Sequence, residues 1–543
     1  MNKHSFKIFH AGLTTVLMLL GLTACSDAWN AHYDPSANLN SEKSLWGELE
    51  TQGNLSNFRE ILQATHVTSY NNASTVTYAE LLNSDQTFTV WAPNNGSFNK
   101  DSLLNLCQTE AGQRAVEKSF VRNHIARYLF SISSTTDKEI MLLNRKSKSL
   151  KGFVFGNIGI STPNLLTNNG VLHVLNGDFP YIPNIYEAIC ANTEFDKFSS
   201  FLKAFQKDSL DEFSSVASGI VDGRTVYVDS VMIDRNTLLS EIGHINHEDS
   251  AYWVIAPTNQ AWDDAYAKVF PYFKYAFIAN ADSLQNYWTK HSLIDDLVFN
   301  THLQKAPNDS LLSTKYSAKE PTHHVFHKPF ETGGILADVK GTTSCSNGTI
   351  YKVDKWPFSI QQSFFQPLKS EAELEPNILN YSLSTLNLRT APGKGLSNNG
   401  YLDVVPSAAS SNPIITFQVK NTLSGKYDVC VVFAPKTVNS TPVTHTDSVE
   451  VFKPCKVRAF LYYVNEKGVA QTLNCANGAT FSNNPYKLDT VCVASAFKFP
   501  TCNLNQDEVT VSIKLQSLVL SRELVTNTRE LYIDCVYLKP RED

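Results

Sequence analysis

A strand-and-turn pattern occurs twice in this chain and constrains its fold more than any other feature. Residues 88–95 read FTVWAPNN, and residues 252–259 read YWVIAPTN. Residues 169–173, NGVLH, return as residues 347–351, NGTIY. Two segments that share several landmarks in the same order indicate one structural unit used twice.

A histidine keeps the same place between these landmarks in both copies. His124 lies 45 positions before Asn169, and His302 lies 45 positions before Asn347. The shared spacing adds a third landmark, so the two copies are predicted to be equivalent over most of their length.

The local pattern of the first copy predicts where its elements begin and end. The apolar strand should stop at Pro93, because proline cannot donate to a strand ladder. His124 lies in an apolar run, residues 120–130, that we expect to be helical. Asn169 and Gly170 predict a hairpin turn, with a closing strand after them.

The second copy is longer than the first. The interval from Phe198 to Ala256 is 24 residues longer than the one from Phe58 to Ala92, and a second insertion precedes His302. Surface loops tolerate such insertions better than core elements, so we expect them in loops of the second copy.

Both copies resemble fasciclin-type FAS1 domains, the first over residues 42–181 and the second over residues 182–358. The resemblance implies two wedge-shaped β-sandwiches with flanking helices, a role in adhesion or binding, and no catalytic residues. The Tyr-His pair of animal adhesive members is Asn123-His124 and Thr301-His302 here, which argues against an integrin-like contact. The residues that match the family motifs are Ala92, Pro93, His124, Asn169, Gly170, Ala256, Pro257, His302, Asn347 and Gly348.

Residues 366–543 show a different pattern. Apolar or alternating runs follow one another without a helical pattern between them, which predicts an all-β sandwich. The run from Ser424 to Val429, together with residues 531–534 (LYID), resembles jelly-roll carbohydrate-binding modules. The fold class of the whole chain is therefore expected to be α+β. No tryptophan follows Trp356, so a structural or docking role is expected for the sandwich. The alternative is sugar binding, with Tyr401, Tyr462, Tyr463 and Tyr486 as the aromatic candidates.

The N-terminus resembles a bacterial lipoprotein leader. An apolar segment of about a dozen residues is too short to span a bilayer and ends in LTAC at Cys25, the predicted lipid-attachment site. Several acyl chains on one cysteine give durable anchoring. Residues 26–41 are predicted to be a solvated tether, and Asp27 resembles the surface-export signal of Bacteroidota lipoproteins. The expected location is the outer membrane, exposed at the cell surface.

Charge and cysteine content exclude some functions. A net charge of −6 gives no reason to expect nucleic-acid binding. No CxxC pair supports a zinc ribbon or a thioredoxin-type site. Nine cysteines remain after Cys25, and we expect mostly free thiols. The alternative is one or two disulfides among Cys455, Cys475, Cys492 and Cys502.

No catalytic or metal-binding motif stands out. The chain lacks GxSxG, HExxH, P-loop and EF-hand patterns, and neither a cofactor nor a metal is expected. The acidic residues Asp295, Asp296, Glu371, Glu373 and Glu375 are interpreted as solvated loop charges. His244, His247, Glu248 and Asp249, and His323, His324 and His327, are interpreted as exposed loop groups rather than metal ligands. His124 and His302 are interpreted as buried core histidines.

The tripeptide Asp-Ser/Thr-aliphatic recurs along the chain. Every Asp-Ser or Asp-Thr is followed by Ala, Leu or Val, more often than composition explains. The pattern resembles the O-glycosylation acceptor of Bacteroidota extracytoplasmic proteins, with composition bias as the alternative. The acceptor hydroxyls would belong to Ser102, Ser209, Ser230, Ser250, Ser283, Ser310, Ser448 and Thr490.

Together these patterns predict a cell-surface lipoprotein that binds protein partners or glycans and is not an enzyme. The predicted partner is an outer-membrane protein of a SusC/SusD-like nutrient-uptake complex, by analogy with lipoproteins of this kind. A stand-alone adhesion protein is the first alternative, and a glycan-active enzyme is the second.

Overall fold

A computed structural model of the protein describes residues 42–69, 72–221, 223–276, 278–300, 309–318, 323–440, 444–445, 448–449 and 451–542. The fold is α+β, which confirms the predicted class. The chain forms two compact units. Unit 1 runs to Ile182 and includes Lys207–Arg235, and unit 2 contains Pro183–Gln206 and everything from Asn236 onward. Cys25, the tether and His302 lie outside the described residues.

Unit 1 contains five described α-helices and eleven described strands. The helices are α1 (Leu45–Thr51), α2 (Ser56–Ala64), α3 (Tyr78–Leu82), α4 (Lys100–Leu106) and α5 (Glu110–Val116). The strands are β1 (His66–Ser69), β2 (Asn72–Thr77), β3 (Phe88–Pro93), β4 (Ile125–Arg127), β5 (Asp137–Met141), β6 (Ser147–Lys151), β7 (Val154–Phe155), β8 (Ile158–Thr167), β9 (Gly170–Leu175), β10 (Gln206–Val221) and β11 (Arg224–Asn236).

The main sheet of unit 1 has the order β4-β3-β9-β8-β7-β6-β5. Strand β3 ends at Pro93, and the Asn169-Gly170 turn joins β8 to β9, as the sequence predicts. The helix expected over residues 120–130 is wrong beyond His124. Residues Ile125–Arg127 instead form β4, because their backbone groups pair with the edge of β3.

The longer insertion of the second copy is a β-hairpin, β10–β11, that belongs to unit 1. Val216 is 1% exposed and lies in the core of unit 1. Gln86 Nε2 donates to Ala217 O at 2.8 Å, and Arg127 donates to Ser215 O. The expectation of a surface loop on the second copy is therefore wrong here, because the hairpin has an apolar side chain to bury.

Unit 2 begins with elements that correspond to those of unit 1. Its described helices are α6 (Ile185–Ala191), α7 (Asp196–Lys203), α8 (Leu239–Ile242), α9 (Asn259–Val269) and α10 (Ala281–Ile294). The strands of this part are β12 (Tyr252–Pro257), β13 (Val298–Asn300), β14 (Ser310–Leu312), β15 (Val325–His327), β16 (Gly341–Cys345) and β17 (Gly348–Val353). No helix among the described residues has the length and apolar character needed to cross a membrane.

The same parallel strand pair is present in both units. In β3 and β9, Phe88 lies opposite Gly170, and in β12 and β17, Tyr252 lies opposite Gly348. A Cβ on Gly170 would lie 2.2 Å from Phe88 O, and one on Gly348 would lie 1.8 Å from Tyr252 O. Both glycines are therefore required by the close approach of the neighbouring backbone.

The sandwich follows in unit 2 as two antiparallel sheets. Their strands are β18 (Leu368–Glu371), β19 (Ile378–Ser382), β20 (Ser384–Thr390), β21 (Gly400–Pro406), β22 (Ile414–Gln418), β23 (Lys426–Phe433), β26 (Lys456–Val464), β27 (Ala470–Asn474), β28 (Phe481–Ser482), β29 (Asp489–Lys498), β30 (Ser512–Ser517) and β31 (Leu531–Arg541). A separate two-stranded piece is formed by β24 (Thr444–His445) and β25 (Ser448–Val449).

One sandwich sheet has the order β20-β21-β31-β23-β29, with β18 beside β31, and we call it sheet A. The other has the order β19-β22-β30-β26-β27, with β28 beside β26, and we call it sheet B. Apolar side chains from both sheets form a core that continues into the second repeat. Phe365 lies at this junction, with ring centroids 4.9 Å from those of Tyr272 and Tyr427.

Candidate binding site on the sandwich

The motif asparagines hold the ends of two helices in place. Asn169 Oδ1 accepts from Leu45 N at 2.7 Å, and its Nδ2 donates to Leu82 O at 3.0 Å. Asn347 Oδ1 accepts from Ile185 N at 2.8 Å, and its Nδ2 donates to Ile245 O at 2.8 Å. These side chains satisfy backbone groups at the starts of α1 and α6, which is a structural task.

The other motif residues of the described part of the chain are also enclosed by the fold. Ala92 and Ala256 are fully buried in β3 and β12, next to Pro93 and Pro257. His124 is fully buried, its Nδ1 lies 2.8 Å from Phe120 O, and its Nε2 lies 3.1 Å from Asp178 Oδ1.

The histidine groups of the second repeat are spread over separate contacts. The rings of His244 and His247 stack with centroids 4.9 Å apart. His324 Nδ1 lies 2.8 Å from Asp296 Oδ1, and His327 Nδ1 lies 2.6 Å from Ser310 Oγ. Within the described parts of the chain, no three His, Cys, Asp or Glu side chains are grouped so that they could hold a metal ion.

The Asp-Ser/Thr hydroxyls differ in exposure. Ser102, Ser283 and Thr490 are exposed, whereas Ser209 and Ser250 are half-buried. Ser310 is 4% exposed, so the folded chain does not present its hydroxyl. The side chains of Ser230 and Ser448 lie outside the described set.

Sheet A carries a row of polar side chains across three strands. Asn387 on β20 lies opposite Asp403 on β21, and Asp403 lies opposite Tyr532 on β31. Arg389 lies opposite Tyr401 in the same strand pair. Successive side chains of a strand point to opposite faces, so these residues share the face away from the core. Lys436 contacts the Tyr532 ring and pairs with Glu530. We use the name tyrosine–carboxylate cluster for Asn387, Arg389, Tyr401, Asp403, Tyr532, Lys436 and Glu530.

Asp403 lies at the base of this cluster. Its side chain is nearly inaccessible, and its Oδ2 lies 3.3 Å from Asn387 Nδ2 and 3.5 Å from Arg389 Nη2. Its Oδ1 is buried and has no hydrogen-bond partner among the described residues. Burial raises the pKa of Asp403, with a further contribution from Glu530. A buried oxygen without a donor costs free energy that a ligand donor would recover.

A cation and two rings form the wall of the cluster. Lys436 Nζ pairs with Glu530 and lies 3.4 Å from the ring centroid of Tyr532. The ring centroids of Tyr532 and Tyr401 are 5.2 Å apart. Burial lowers the pKa of Lys436 and raises the pKa of Tyr532 to about 12. Since neighbouring groups cover the Tyr532 ring, it offers an edge and a hydroxyl rather than an open stacking face.

The same sheet also holds an acidic cluster, formed by Glu371, Glu373 and Asp534. Ser397 N donates to Asp534 Oδ1 at 2.9 Å, and Ser397 Oγ donates to Glu371 Oε1 at 2.7 Å. Asp534 has no Cα partner on β23, because the register shifts there, and such bulges re-aim side chains. Burial first, and Glu371 second, raise the pKa of Asp534 to about 7. The expectation of solvated loop charges is therefore wrong for Glu371 and Glu373, each of which has a buried carboxylate oxygen.

The four tyrosines named from the sequence occupy different places. Tyr401 is buried within the tyrosine–carboxylate cluster. Tyr462 lies on sheet B near Phe460, where Lys514 Nζ is 5.6 Å from the ring centroid of Tyr462. Tyr463 packs against Phe497, with centroids 5.0 Å apart. Tyr486 is 46% exposed. The structure does not bring the four into one platform.

No protein-family model and no curated protein matches the chain, but solved structures are similar to parts of it. One is a FAS1 domain pair from the insect cell adhesion molecule Fasciclin I, at 9% identity and TM-score 0.17, over 51% of this chain and 90% of that chain. Another holds the CBM22-1 and GH10 modules of Clostridium thermocellum xylanase 10B with xylohexaose, at 12% identity and TM-score 0.20.

The xylanase match covers 32% of this chain and only 28% of that chain. A third similar structure is the CBM22-1 xylan-binding domain of Paenibacillus barcinonensis Xyn10C, at 10% identity and TM-score 0.19, over 33% of this chain and 96% of that chain. At these identities and TM-scores the likeness carries no argument about the ligand of this protein.

Proposed function

We propose that this protein is a non-catalytic binding protein whose sandwich captures a glycan at the tyrosine–carboxylate cluster. The observation that carries the proposal is the buried Asp403 Oδ1, which has no donor among the described residues. Because this oxygen is closed to solvent in the free protein, the proposal requires the half-exposed Arg389 side chain to move aside, so that a ligand hydroxyl can reach Asp403 and complete its hydrogen bonds.

The charge balance of the cluster favours a neutral, hydroxyl-rich ligand. Asp403 and Glu530 are offset by Arg389 and Lys436, so the site has no excess charge to attract phosphate or nucleic acid. A sugar hydroxyl both donates and accepts, so it can bond to the carboxylate and to Arg389 or Asn387 at once. Arg389 is 48% exposed and marks the side from which a ligand would enter.

We also propose that the protein is held at the cell surface. Cys25 would anchor the chain by lipid at the outer membrane, and the two repeats would act as a spacer and a protein-contact surface. An accessory role beside a SusC/SusD-like transporter fits this arrangement. Detergent extraction and mass spectrometry of co-purifying proteins would separate this role from stand-alone adhesion: a stoichiometric outer-membrane barrel supports the former, and recovery of the protein alone supports the latter.

Affinity electrophoresis of the intact chain in gels that contain different polysaccharides tests glycan binding. We expect at least one neutral polysaccharide to retard the wild type. The variant Tyr462→Ala on sheet B should be retarded equally, whereas Arg389→Ala should migrate as in a gel without polysaccharide. If retardation is lost with Tyr462→Ala and kept with Arg389→Ala, the site lies on sheet B and the proposal is wrong. If no polysaccharide retards the wild type, the proposal is also rejected.

A further inference from the structure

Two cysteines face each other in sheet A, away from the tyrosine–carboxylate cluster. Cys430 on β23 lies directly opposite Cys492 on β29 in an antiparallel pair. Residues opposite one another in such a pair have Cα atoms about 4.5 or 5.5 Å apart. Disulfide-bonded cysteines have Cα atoms about 4.4–6.8 Å apart, so the usual spacing of directly opposite residues falls within the range that a disulfide accepts.

The two thiols share one face of the sheet and differ in access to solvent. Cys430 and Cys492 are directly opposite one another, and the Cys492 side chain raises the pKa of the Cys430 thiol. Cys492 is exposed, and Cys430 is 5% exposed. An oxidant can therefore reach the Cys492 sulfur directly, whereas the Cys430 sulfur next to it is largely closed to solvent. Neither cysteine is in a disulfide in this structure.

We infer that Cys430 and Cys492 form a redox-controlled disulfide that locks β29 to β23. A low-molecular-weight disulfide is the oxidant. The Cys492 thiolate attacks one of its sulfurs, the S–S bond breaks, and a small thiolate leaves. Cys430 then attacks Cys492 Sγ in this mixed disulfide, releases the second small thiol and passes its proton to it. Two protein thiols and one small disulfide become one protein disulfide and two small thiols.

Charged groups around the pair act on both steps. Burial raises the pKa of the Cys430 thiol most, and the Cys492 and Asp428 side chains raise it further, to about 12. Lys539, on β31, lowers it. Arg541 also interacts electrostatically with both sulfurs. Because Cys430 stays protonated at neutral pH, the second step should be slower than the first, and the mixed disulfide on Cys492 should accumulate transiently.

The lock would act at the end of a sheet. β29 is the last strand of sheet A, and its pairing with β23 shifts register on both sides of Val429. An edge strand with an irregular ladder is easier to detach than a central one. A covalent bond across this ladder should therefore raise the thermal midpoint of unit 2 by several degrees.

One other thiol competes for the same partner. Cys475 is fully buried and interacts electrostatically with Cys492, and the sequence had already placed these two among its disulfide candidates. The register favours Cys430, because only that residue faces Cys492 across a strand ladder.

The test equilibrates the intact chain with mixtures of reduced and oxidised glutathione, blocks free thiols with an alkylating reagent and maps linked peptides by mass spectrometry. We expect a Cys430–Cys492 peptide that increases with the oxidised fraction, is absent in Cys492→Ser and Cys430→Ser, and persists in Cys475→Ser. Folding of each variant is checked by its far-UV circular dichroism. Alkylation of both cysteines in every mixture, or a link that maps to Cys475 and Cys492, would overturn the inference.

Discussion

The tyrosine–carboxylate cluster and the acidic cluster lie on the same sheet but differ in the charged groups that surround their buried carboxylates. In the former, Arg389 and Lys436 face Asp403 and Glu530, and one carboxylate oxygen is left without a donor. In the latter, three carboxylates approach one another, and the pKa of Asp534 rises to about 7. Both clusters contain buried carboxylate oxygens without donors among the described residues, Glu371 Oε2 and Glu373 Oε2 among them, but in the acidic cluster the carboxylates also outnumber the nearby cation, Lys369.

This difference separates two consequences of buried acidity. A missing hydrogen bond can be supplied by a neutral ligand, so the first cluster is suited to binding. Repulsion between carboxylates is relieved by protonation, so the second cluster makes stability depend on pH. Single substitutions that change the hydrogen bonding or the charge of each cluster test this difference.

The largest effect is expected for Asp403→Asn. The amide keeps the shape but removes the charged acceptor, so a glycan should bind about 10- to 100-fold more weakly, as for loss of one hydrogen bond to a charged group. The thermal midpoint should stay the same or rise, because the buried group without a partner no longer carries a charge. Isothermal titration and thermal melts on the same samples check both halves, and equal loss of binding and stability would indicate a structural role instead.

Lys436→Met should leave the tyrosine–carboxylate cluster with an excess of negative charge, like that of the acidic cluster. Without the ammonium group, Asp403 and Glu530 are left facing each other, and unfolding should require about 1–2 kcal/mol less free energy at pH 8. The loss should shrink as the pH is lowered to 5, because burial raises the pKa of Asp403 and a protonated carboxyl group needs no cation. Chemical denaturation at both pH values measures this, with Lys514→Met on sheet B as the matched loss of a cation over a ring. A loss independent of pH would contradict the charge balance that we describe.

Asp534→Asn should have a smaller effect of the opposite sign. The folded pKa of Asp534 lies at about 7, above its usual 3.8, so the folded state binds more protons and loses stability as pH rises across that interval. The amide accepts from Ser397 N without ionising. The variant should therefore be more stable than the wild type at pH 8, by at least about 1 kcal/mol since each unit of raised pKa costs about 1.4 kcal/mol, and equal to it near pH 4. Thermal melts in EDTA across this range measure the difference, and a destabilised variant at pH 8 would show that the carboxylate charge is needed.

The repeat was predictable from the sequence because its residues are required by the backbone. Gly170 and Gly348 leave no room for a Cβ, and Asn169 and Asn347 each satisfy two or more backbone groups. Such requirements fix residue types at fixed spacings, which a single sequence shows directly. The helix predicted past His124 failed because pairing of Ile125–Arg127 with β3 overrides local preference.

The tyrosine–carboxylate cluster was largely not predictable. Tyr401 was named from its residue type, but Asp403, Arg389, Lys436 and Glu530 come from strands and loops far apart in sequence. Each is ordinary in its own segment, and only the strand order β20-β21-β31 brings them together. One signal was present: Asn387 and Arg389 alternate with leucines in β20, which marks a polar face.

A crystal structure of the intact chain with its bound polysaccharide tests the central claim most directly. The account predicts a sugar hydroxyl within hydrogen-bond distance of Asp403 Oδ1, with Arg389 contacting the same sugar. A sugar seated over Phe460 and Tyr462 on sheet B, with Asp403 Oδ1 left without a donor, would contradict it.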